Sequence, residues 1–150
     1  MKILITGSNG FVGRNLSSTL KAYDHVVYEF NADDTKEALE SYCKTCDIVF
    51  HFAGVNRSKN VHDFSVTNDQ FTKDLCTTLK NANNCVPIVF TSTIHVNRED
   101  SYGQTKLAAE LHLKKYSSDC QVPVYIFRLS NLFGKWSKPN YNSVIATWCY

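Results

Sequence analysis

KILITGSNGFVG, residues 2–13, is the stretch of sequence that decides the fold of this chain. An apolar run of strand length, 2–6, leads directly into glycines at positions 7, 10 and 13. A strand that ends in a glycine-rich turn and opens a helix is typical of a dinucleotide-binding βαβ unit. The glycines allow a tight turn, a close approach of the backbone to a pyrophosphate, and close packing of the helix on the strand.

The start of the predicted helix is the part of this unit that would hold a ligand. A helix N-terminus offers unpaired N–H groups and a partial positive charge, and both favour an anion such as a pyrophosphate. A glycine-rich turn without a ligand is the alternative interpretation. The residues that we assign to cofactor binding here are Gly7, Asn9, Gly10, Phe11, Val12, Gly13 and Arg14.

Strand-like and helix-like segments alternate along the chain. Continuous apolar runs predict strands at 2–6, 26–30, 47–52, 88–91 and 124–129. Apolar residues at helical spacing predict helices at 11–23, 35–42, 64–82 and 102–117, and one more that begins at residue 142. This alternation predicts an α/β fold, a Rossmann-type doubly wound parallel sheet with helices on both faces.

The pattern at the C-terminal end predicts that the domain continues. The segment NSVIATWCY, 142–150, is typical of a helix, and no cap or stop signal follows it. We therefore expect residues 1–150 to form a nucleotide-binding Rossmann domain, truncated at its C-terminus, that is the N-terminal part of a longer enzyme.

The composition is that of an ordinary globular protein. Apolar residues make up 43% of the chain and charged residues 20%, and the net charge is +2. The sequence contains no basic run typical of nucleic-acid binding, no apolar run long enough to span a membrane, and no signal peptide before the first strand. We therefore expect a cytoplasmic protein without a nucleic-acid or membrane partner.

The six cysteines are expected to be reduced thiols. Cys43 and Cys46 form a Cys-x-x-Cys pair, but no second close pair of cysteine or histidine ligands accompanies it. A thioredoxin-like pair would open a helix, whereas this pair precedes a predicted strand. The sequence therefore predicts no metal site.

A second motif, YGQTK at 102–106, opens the last long predicted helix. Tyr102 and Lys106 are four residues apart and project from one face of that helix. A neighbouring ammonium favours the phenolate, so we expect Lys106 to lower the pKa of Tyr102 toward the working range of an acid. The run TST at 91–93 supplies a hydroxyl that can polarise a carbonyl, and we assign that role to Thr93. The catalytic trio Thr93, Tyr102 and Lys106 predicts hydride transfer to or from a carbonyl.

The residue after the second predicted strand bears on the choice of cofactor. An acidic residue in this place binds the ribose 2′-hydroxyl of NAD, and Asn31 stands there instead. Without that carboxylate, the 2′-phosphate of NADP is tolerated. Arg14 either reaches this phosphate or is simply a solvent-exposed helix residue, and the sequence favours neither interpretation. The sequence thus favours NADPH over NADH, with Asn31 as a further cofactor-binding residue.

In this order, the motifs resemble those of the extended short-chain dehydrogenase/reductases, the NAD-dependent epimerase/dehydratase family of nucleotide-sugar enzymes. The resemblance covers nearly the whole chain and extends through HFAG at 51–54, Asn68, and RLSNLFG at 128–134. It implies that Ala53 and Gly54 lie along the cofactor and that Asn131 contacts substrate or cofactor.

A closer resemblance within the family is carried by GVNR at 54–57 and by the segment 133–150. Both are similar to reductases of bacterial capsular or O-antigen polysaccharide biosynthesis. The resemblance implies reduction of a 4-keto UDP-6-deoxy-acetamido sugar with NADPH, and a homodimer at full length. It also implies a substrate-binding part and a metal-binding cupin domain, both absent from these residues. Trp136 and Tyr141 either line a sugar or uridine pocket or serve in packing.

Three other functions stay open on the sequence alone. A nucleotide-sugar 4-epimerase shares the same trio and would hold NAD tightly. A scaffold or redox sensor would bind the cofactor without chemistry, although such relatives usually lose the tyrosine or the lysine. An inactive fragment would bind the cofactor and turn nothing over. A dehydratase is not expected, because Ile94 and His95 stand where that class carries an Asp-Glu pair.

Overall fold

Five parallel strands form one sheet in the computed structural model, which describes residues 1–141 and 143–149. The strands are β1 (Lys2–Thr6), β2 (Val26–Phe30), β3 (Ile48–His51), β4 (Ile88–Thr93) and β5 (Val124–Leu129). Their order across the sheet is β2-β1-β3-β4-β5, and every neighbouring pair is parallel. The predicted α/β class and its parallel sheet are confirmed.

The described residues contain six α-helices. They are α1 (Phe11–Lys21), α2 (Lys36–Cys43), α3 (Val61–Phe64), α4 (Phe71–Asn81), α5 (Ser101–Cys120) and α6 (Val144–Trp148). The Thr35 hydroxyl accepts a hydrogen bond from the Ala38 N–H at 3.3 Å, and the Asp100 carboxylate accepts one from the Gly103 N–H at 2.7 Å. These N-caps satisfy otherwise unpaired donors and so determine where α2 and α5 begin.

Helices cover both faces of the sheet. β2 and β3 lie on opposite sides of β1, so right-handed connections place α1 on one face and α2, α4 and α5 on the other. The main core lies on the second face and includes Leu4, Leu39, Val49, Leu75, Phe90 and Leu113. On the α1 face, at the β5 edge, Tyr125 and Phe127 are half exposed.

The segment predicted as one helix at 64–82 consists of three parts. α3 ends at Phe64, a π-helical turn spans Ser65–Gln70, and α4 begins at Phe71. A π-helical turn widens the hydrogen-bonded ring by one residue and leaves the apolar spacing on either side close to helical, so the sequence pattern could not reveal it. The turn matters for the site because it contains Asn68, which is buried.

The other boundaries lie close to those expected. β4 runs on to Thr93, and α5 begins at Ser101 and extends to Cys120. The helix predicted from residue 142 is α6, while Asn142 and Tyr150 lie outside the described residues. Within the described ranges, no helix is long and apolar enough to cross a membrane.

One cysteine pair departs from the expected reduced state. Cys85, before β4, and Cys120, at the end of α5, are joined as a disulfide with their Cα atoms 5.9 Å apart. The two residues are 35 positions apart in sequence, so packing rather than spacing brings them together. Cys43 and Cys46 are free and buried, and burial raises their pKa values to about 12 and about 11. Thiols in such surroundings are poor nucleophiles.

Candidate active site

A cleft of about 580 Å³ opens at the carboxyl ends of the strands. Its walls are the glycine turn after β1, the chain after β3, the end of β4, the start of α5 and the chain after β5. The sheet order reverses at β1, because the neighbours of this strand are reached across opposite faces. In open α/β sheets, ligands bind at such a switch point.

The glycines of the turn meet different demands. Gly7 has a φ of +72°, and a Cβ there would lie 2.7 Å from the backbone nitrogen of Ala53. A Cβ at Gly13 would overlap the carbonyl oxygen of Gly7, so the missing side chain lets α1 pack against the turn. At Gly10 the nearest atom to an added Cβ is that same oxygen, at 3.1 Å. A Cβ at Gly10 would therefore be tightly packed, but it would not overlap the backbone as it would at Gly7 and Gly13.

The N-terminus of α1 faces the cleft. No side chain among the described residues caps its first N–H groups, and Phe11 and Val12 line the cleft. An uncapped helix start beside a glycine turn fits a pyrophosphate, because free N–H groups and the helix dipole both favour an anion. The residues present therefore fit the dinucleotide that the sequence predicts.

Asn31 lies at the predicted place but has other partners. Its side-chain oxygen accepts a hydrogen bond from the Asn9 N–H at 2.9 Å, and its amide nitrogen donates to the hydroxyl of Ser8 at 2.8 Å. These bonds tie the end of β2 to the glycine turn. Among the residues that the structure describes, those that line the cleft do not include Asn31 or Ala53.

Hydrogen bonds from buried side chains hold the segment that follows β3 in place. The Ala53 N–H donates to the hydroxyl of Thr6 at 3.3 Å, and the same hydroxyl lies 2.7 Å from Nδ1 of His51. Nε2 of His51 lies 2.8 Å from the hydroxyl of Thr72. Burial lowers the pKa of His51 to about 3, so the imidazole is neutral at physiological pH and serves as a structural bridge.

Arg14 is stacked on an aromatic ring at the rim of the cleft. Its guanidinium carbon lies 5.0 Å from the ring centre of Trp136, and Nζ of Lys135 lies 4.2 Å from the same centre. Trp136 lines the cleft with Arg14, as does Tyr141. Cation–π contacts of this kind hold positive charge in place without neutralising it.

Tyr102 and Thr93 both line the cleft. Burial raises the pKa of Tyr102 above its ordinary value, a hydrogen bond with the Thr93 side chain opposes this rise, and the charge of Asp100 adds to it. The expected lowering by Lys106 is not found. The physical reason is that loss of water around the half-buried phenol outweighs the other influences.

Lys106 is almost completely buried. Its Nζ donates to the carbonyl oxygen of Thr91 at 3.1 Å and lies 4.6 Å from the ring centre of Phe90. Burial lowers the pKa of Lys106 to about 8, and the charge of Glu110 acts in the opposite direction. In this structure the ammonium is thus directed at a backbone carbonyl, one helical turn from the phenol.

Asn68 joins the π-helical turn to the cleft. Its side-chain oxygen accepts from the Val55 N–H at 2.8 Å, and its nitrogen donates to the Val55 carbonyl at 2.9 Å and to the Thr105 hydroxyl at 3.3 Å. A Cβ at Gly54 would come within 2.9 Å of the Asn68 oxygen and 3.1 Å of Nζ of Lys106. This arrangement was not predicted, since it depends on the π-helical turn.

A smaller pocket of about 400 Å³ adjoins the cleft and shares part of its lining. Asn131 lines both, together with Tyr141, whose hydroxyl donates to the side-chain oxygen of Asn56 at 2.7 Å. Arg57 lies against the Tyr141 ring, with its guanidinium carbon 5.5 Å from the ring centre. Of the predicted site residues, those that the cleft brings together are Gly7, Asn9, Gly10, Phe11, Val12, Gly13, Arg14, Gly54, Thr93, Tyr102, Lys106 and Asn131.

Known proteins resemble this chain in sequence. The model of the NAD dependent epimerase/dehydratase family matches residues 3–149. UDP-2-acetamido-2,6-beta-L-arabino-hexul-4-ose reductase from Pseudomonas aeruginosa is 42% identical over 100% of this chain, and the match covers 41% of that protein. The chain therefore spans about two fifths of the length of this curated relative.

Solved structures agree with this relation. Capsular polysaccharide assembling protein CapF from Staphylococcus aureus matches with a TM-score of 0.85 at 41% identity, over 99% of this chain and 41% of that one. A short-chain dehydrogenase/reductase superfamily protein from Agrobacterium tumefaciens with bound NAD matches with a TM-score of 0.77 at 22% identity, over 87% of this chain and 49% of that one, and so shares the fold. On these matches, the chain belongs to the NAD-dependent epimerase/dehydratase family.

Proposed function

We propose that the complete gene product reduces a 4-keto UDP-6-deoxy-acetamido sugar with NADPH, in bacterial capsular or O-antigen polysaccharide biosynthesis. Residues 1–150 supply its cofactor site and its proton donor. The proposal extends to a cytoplasmic homodimer whose sugar-binding part, with or without a cupin domain, lies beyond these residues. The 42% identity to a UDP-sugar reductase supports the choice of substrate class.

The observation that carries the proposal is a cleft lined by two hydroxyl-bearing side chains, Thr93 and Tyr102. The side chain of Thr93 acts to lower the pKa of the Tyr102 phenol, and both line the cleft with Lys106 and the glycine turn. A substrate carbonyl oxygen bound between these two side chains would contact a proton donor and a second hydroxyl together. This arrangement suits the stabilisation of charge that develops on a carbonyl oxygen during reduction.

Each residue of the trio has a separate task in the proposed reaction. A reduced nicotinamide, when bound, supplies the hydride that forms the new C–H bond at the carbonyl carbon. Tyr102 gives its phenolic proton to the carbonyl oxygen, which completes the alcohol, and Thr93 orients that oxygen with its hydroxyl. The raised pKa of Tyr102 keeps the phenol protonated before reaction. Lys106, protonated below its pKa of about 8, would stabilise the phenolate that remains by turning from the Thr91 carbonyl toward it.

The proposed preference for NADPH rests on one residue at the end of β2 and one at the rim of the cleft. Asn31 replaces the carboxylate that would repel a 2′-phosphate. Arg14 presents a fixed guanidinium at the rim of the cleft, beside the start of α1. A phosphate group would find a positive charge at Arg14, while the Asp34 carboxylate, which accepts from the Asn31 N–H at 2.7 Å, would oppose it near the end of β2.

The test is reduction of the keto-sugar by the complete gene product. We expect NADPH oxidation that depends on a 4-keto UDP-6-deoxy-acetamido sugar, and we expect Tyr102→Phe to lower kcat by at least about a hundredfold because it removes the proton donor. NADPH affinity should change less than about threefold, since the phenyl ring keeps its place.

Two results would speak against this function. Wild-type rates in Tyr102→Phe would remove the phenol from the reaction. Interconversion of two hydroxyl sugars without added cofactor, with NAD retained through purification, would identify a 4-epimerase instead.

A further inference from the structure

Glu110 is an acidic side chain in the interior of the protein. It lies on α5, one helical turn beyond Lys106, and its side chain is 1% exposed. Taking a carboxylate out of water is costly unless it is paired and hydrogen-bonded. The proposed reaction, as described above, gives this carboxylate no task.

Three hydrogen bonds hold the carboxylate of Glu110. The Ser92 hydroxyl donates to Oε1 at 2.6 Å, and Arg128 donates to Oε1 from Nε at 2.9 Å and to Oε2 from Nη2 at 2.7 Å. The bidentate pair with Arg128 fixes the plane of the carboxylate as well as its distance. Burial raises the pKa of Glu110, but the bonds from Arg128 and Ser92 lower it further than burial raises it, so the group is charged at neutral pH.

Every partner in this cluster adjoins a residue of the active site. Ser92 directly precedes Thr93 on β4. Arg128 lies near the end of β5, three residues before Asn131 in the chain that follows this strand. Glu110 follows Lys106 by one turn on α5. One carboxylate therefore connects the three elements that carry the predicted proton donor, its lysine and the substrate residues.

The surroundings of Lys106 make this connection electrostatic as well as steric. Glu110 is the negative charge that raises the pKa of Lys106 against the effect of burial. The charge of Lys106 acts on His51 of β3, which is neutral, and its ammonium donates to the carbonyl oxygen of Thr91 on β4. Lys114, on the far side of Glu110, is exposed and 3.9 Å from it.

We propose that Glu110 is a positioning residue for the reaction: by binding Ser92 and Arg128 together it fixes α5 against β4 and β5, and it sets the charge environment of Lys106. The inference rests on the proposed function for its kinetic test. An ion pair that only stabilised the fold would leave the protonation of Lys106 unaffected.

Two substitutions separate position from charge. Glu110→Gln keeps the shape and removes the charge, so Lys106 should lose its proton at a lower pH, and the basic limb of the pH profile of kcat should move down by about half a unit or more. Glu110→Asp keeps the charge and shortens the side chain, so kcat should fall about tenfold without a shift of that limb. Asp119→Asn, another carboxylate on α5, pairs with lysines at the surface and should change neither quantity.

A second measurement does not need turnover. Competitive acetylation of lysines at a series of pH values, followed by mass spectrometry, gives the titration midpoint of Lys106 directly. We expect a midpoint near 8 in the wild type and a lower one in Glu110→Gln, with no change in Asp119→Asn. This measurement remains informative if the keto-sugar proves not to be the substrate.

The proposal is overturned if the Lys106 midpoint is the same in Glu110→Gln and the wild type. It is also overturned if Glu110→Asp has the wild-type kcat. If Glu110→Gln does not fold, Ser92→Ala takes its place in the kinetic test, because it removes one bond and keeps the ion pair with Arg128. That variant should lower kcat with an unshifted basic limb, and an unchanged kcat would contradict the positioning role.

Discussion

At the scale of single residues, the site depends on side chains that are removed from water. Tyr102 has a raised pKa and Lys106 has a lowered one, in both cases chiefly because burial disfavours the charged form. Because the ordinary pKa values of the two groups are close, these opposite shifts move them apart, so the phenol holds its proton more firmly than the ammonium does. Thr93, which lines the same cleft, acts to lower the pKa of the phenol.

A substitution at Gly10 tests the cleft at the same scale. Gly10→Val should raise the Kd for NADPH at least about tenfold, because the side chain would stand where the pyrophosphate must approach. Its thermal unfolding temperature should fall less than that of Gly13→Val, since Gly10 has a φ of −72° and an added Cβ lies 3.1 Å from the Gly7 carbonyl oxygen, a tight contact without the overlap found at Gly13. Fluorescence titration with NADPH and thermal unfolding measure the two effects.

Gly13→Val is the matched control for that substitution. Its Cβ would overlap the Gly7 carbonyl oxygen, so it should lower the unfolding temperature strongly as well as weaken binding. NADPH affinity equal to the wild type in Gly10→Val would mean that the glycine turn does not hold the cofactor.

At the scale of elements, the π-helical turn Ser65–Gln70 shapes one wall of the cleft. It places Asn68 where its amide satisfies both backbone groups of Val55. The loop after β3 is thereby fixed next to Gly54, against which Lys106 packs. Loops carry binding residues well when a rigid element fixes them, and this turn provides that rigidity.

Asn68→Ala tests this element. The substitution leaves the N–H and the carbonyl of Val55 without their partner, so it should lower the free energy of unfolding by about 1–3 kcal/mol. It should also weaken NADPH binding, because Gly54 loses its support. Urea unfolding gives the first quantity and fluorescence titration the second.

Asp69→Asn is the control in the same turn. Asp69 pairs with His112 at 2.7 Å in a partly exposed position, so its loss should cost about 1 kcal/mol or less and leave NADPH affinity unchanged. An Asn68→Ala variant that was no less stable than Asp69→Asn would contradict the role assigned to the turn.

At the scale of the whole molecule, the sequence allowed the sheet to be predicted more completely than the contacts within the site. Apolar runs predicted all five strands, because strands covered by helices must be continuously apolar. The trio and the glycine turn followed from short motifs whose spacing reflects local geometry. The direction of the Lys106 ammonium could not be predicted, since it depends on Thr91 and Phe90 from another element. The hydrogen-bond partners of Glu110 could not be predicted either, because Ser92 and Arg128 lie on other elements.

Asn31 shows the limit of reasoning by position. The alignment to the end of β2 was correct, yet the side chain binds Ser8 and Asn9 instead of lining the cleft. A hydrogen-bonding side chain takes the nearest satisfactory partner, and no sequence pattern specifies which partner that is.

A crystal structure of the protein with NADP⁺ bound tests the central claim most directly. We predict that the pyrophosphate lies on the first N–H groups of α1 and that C4 of the nicotinamide lies about 4–6 Å from the phenol oxygen of Tyr102, so that one carbonyl group can contact both. A nicotinamide ring about 10 Å or more from that oxygen would contradict the account, because no single carbonyl could then receive hydride and proton.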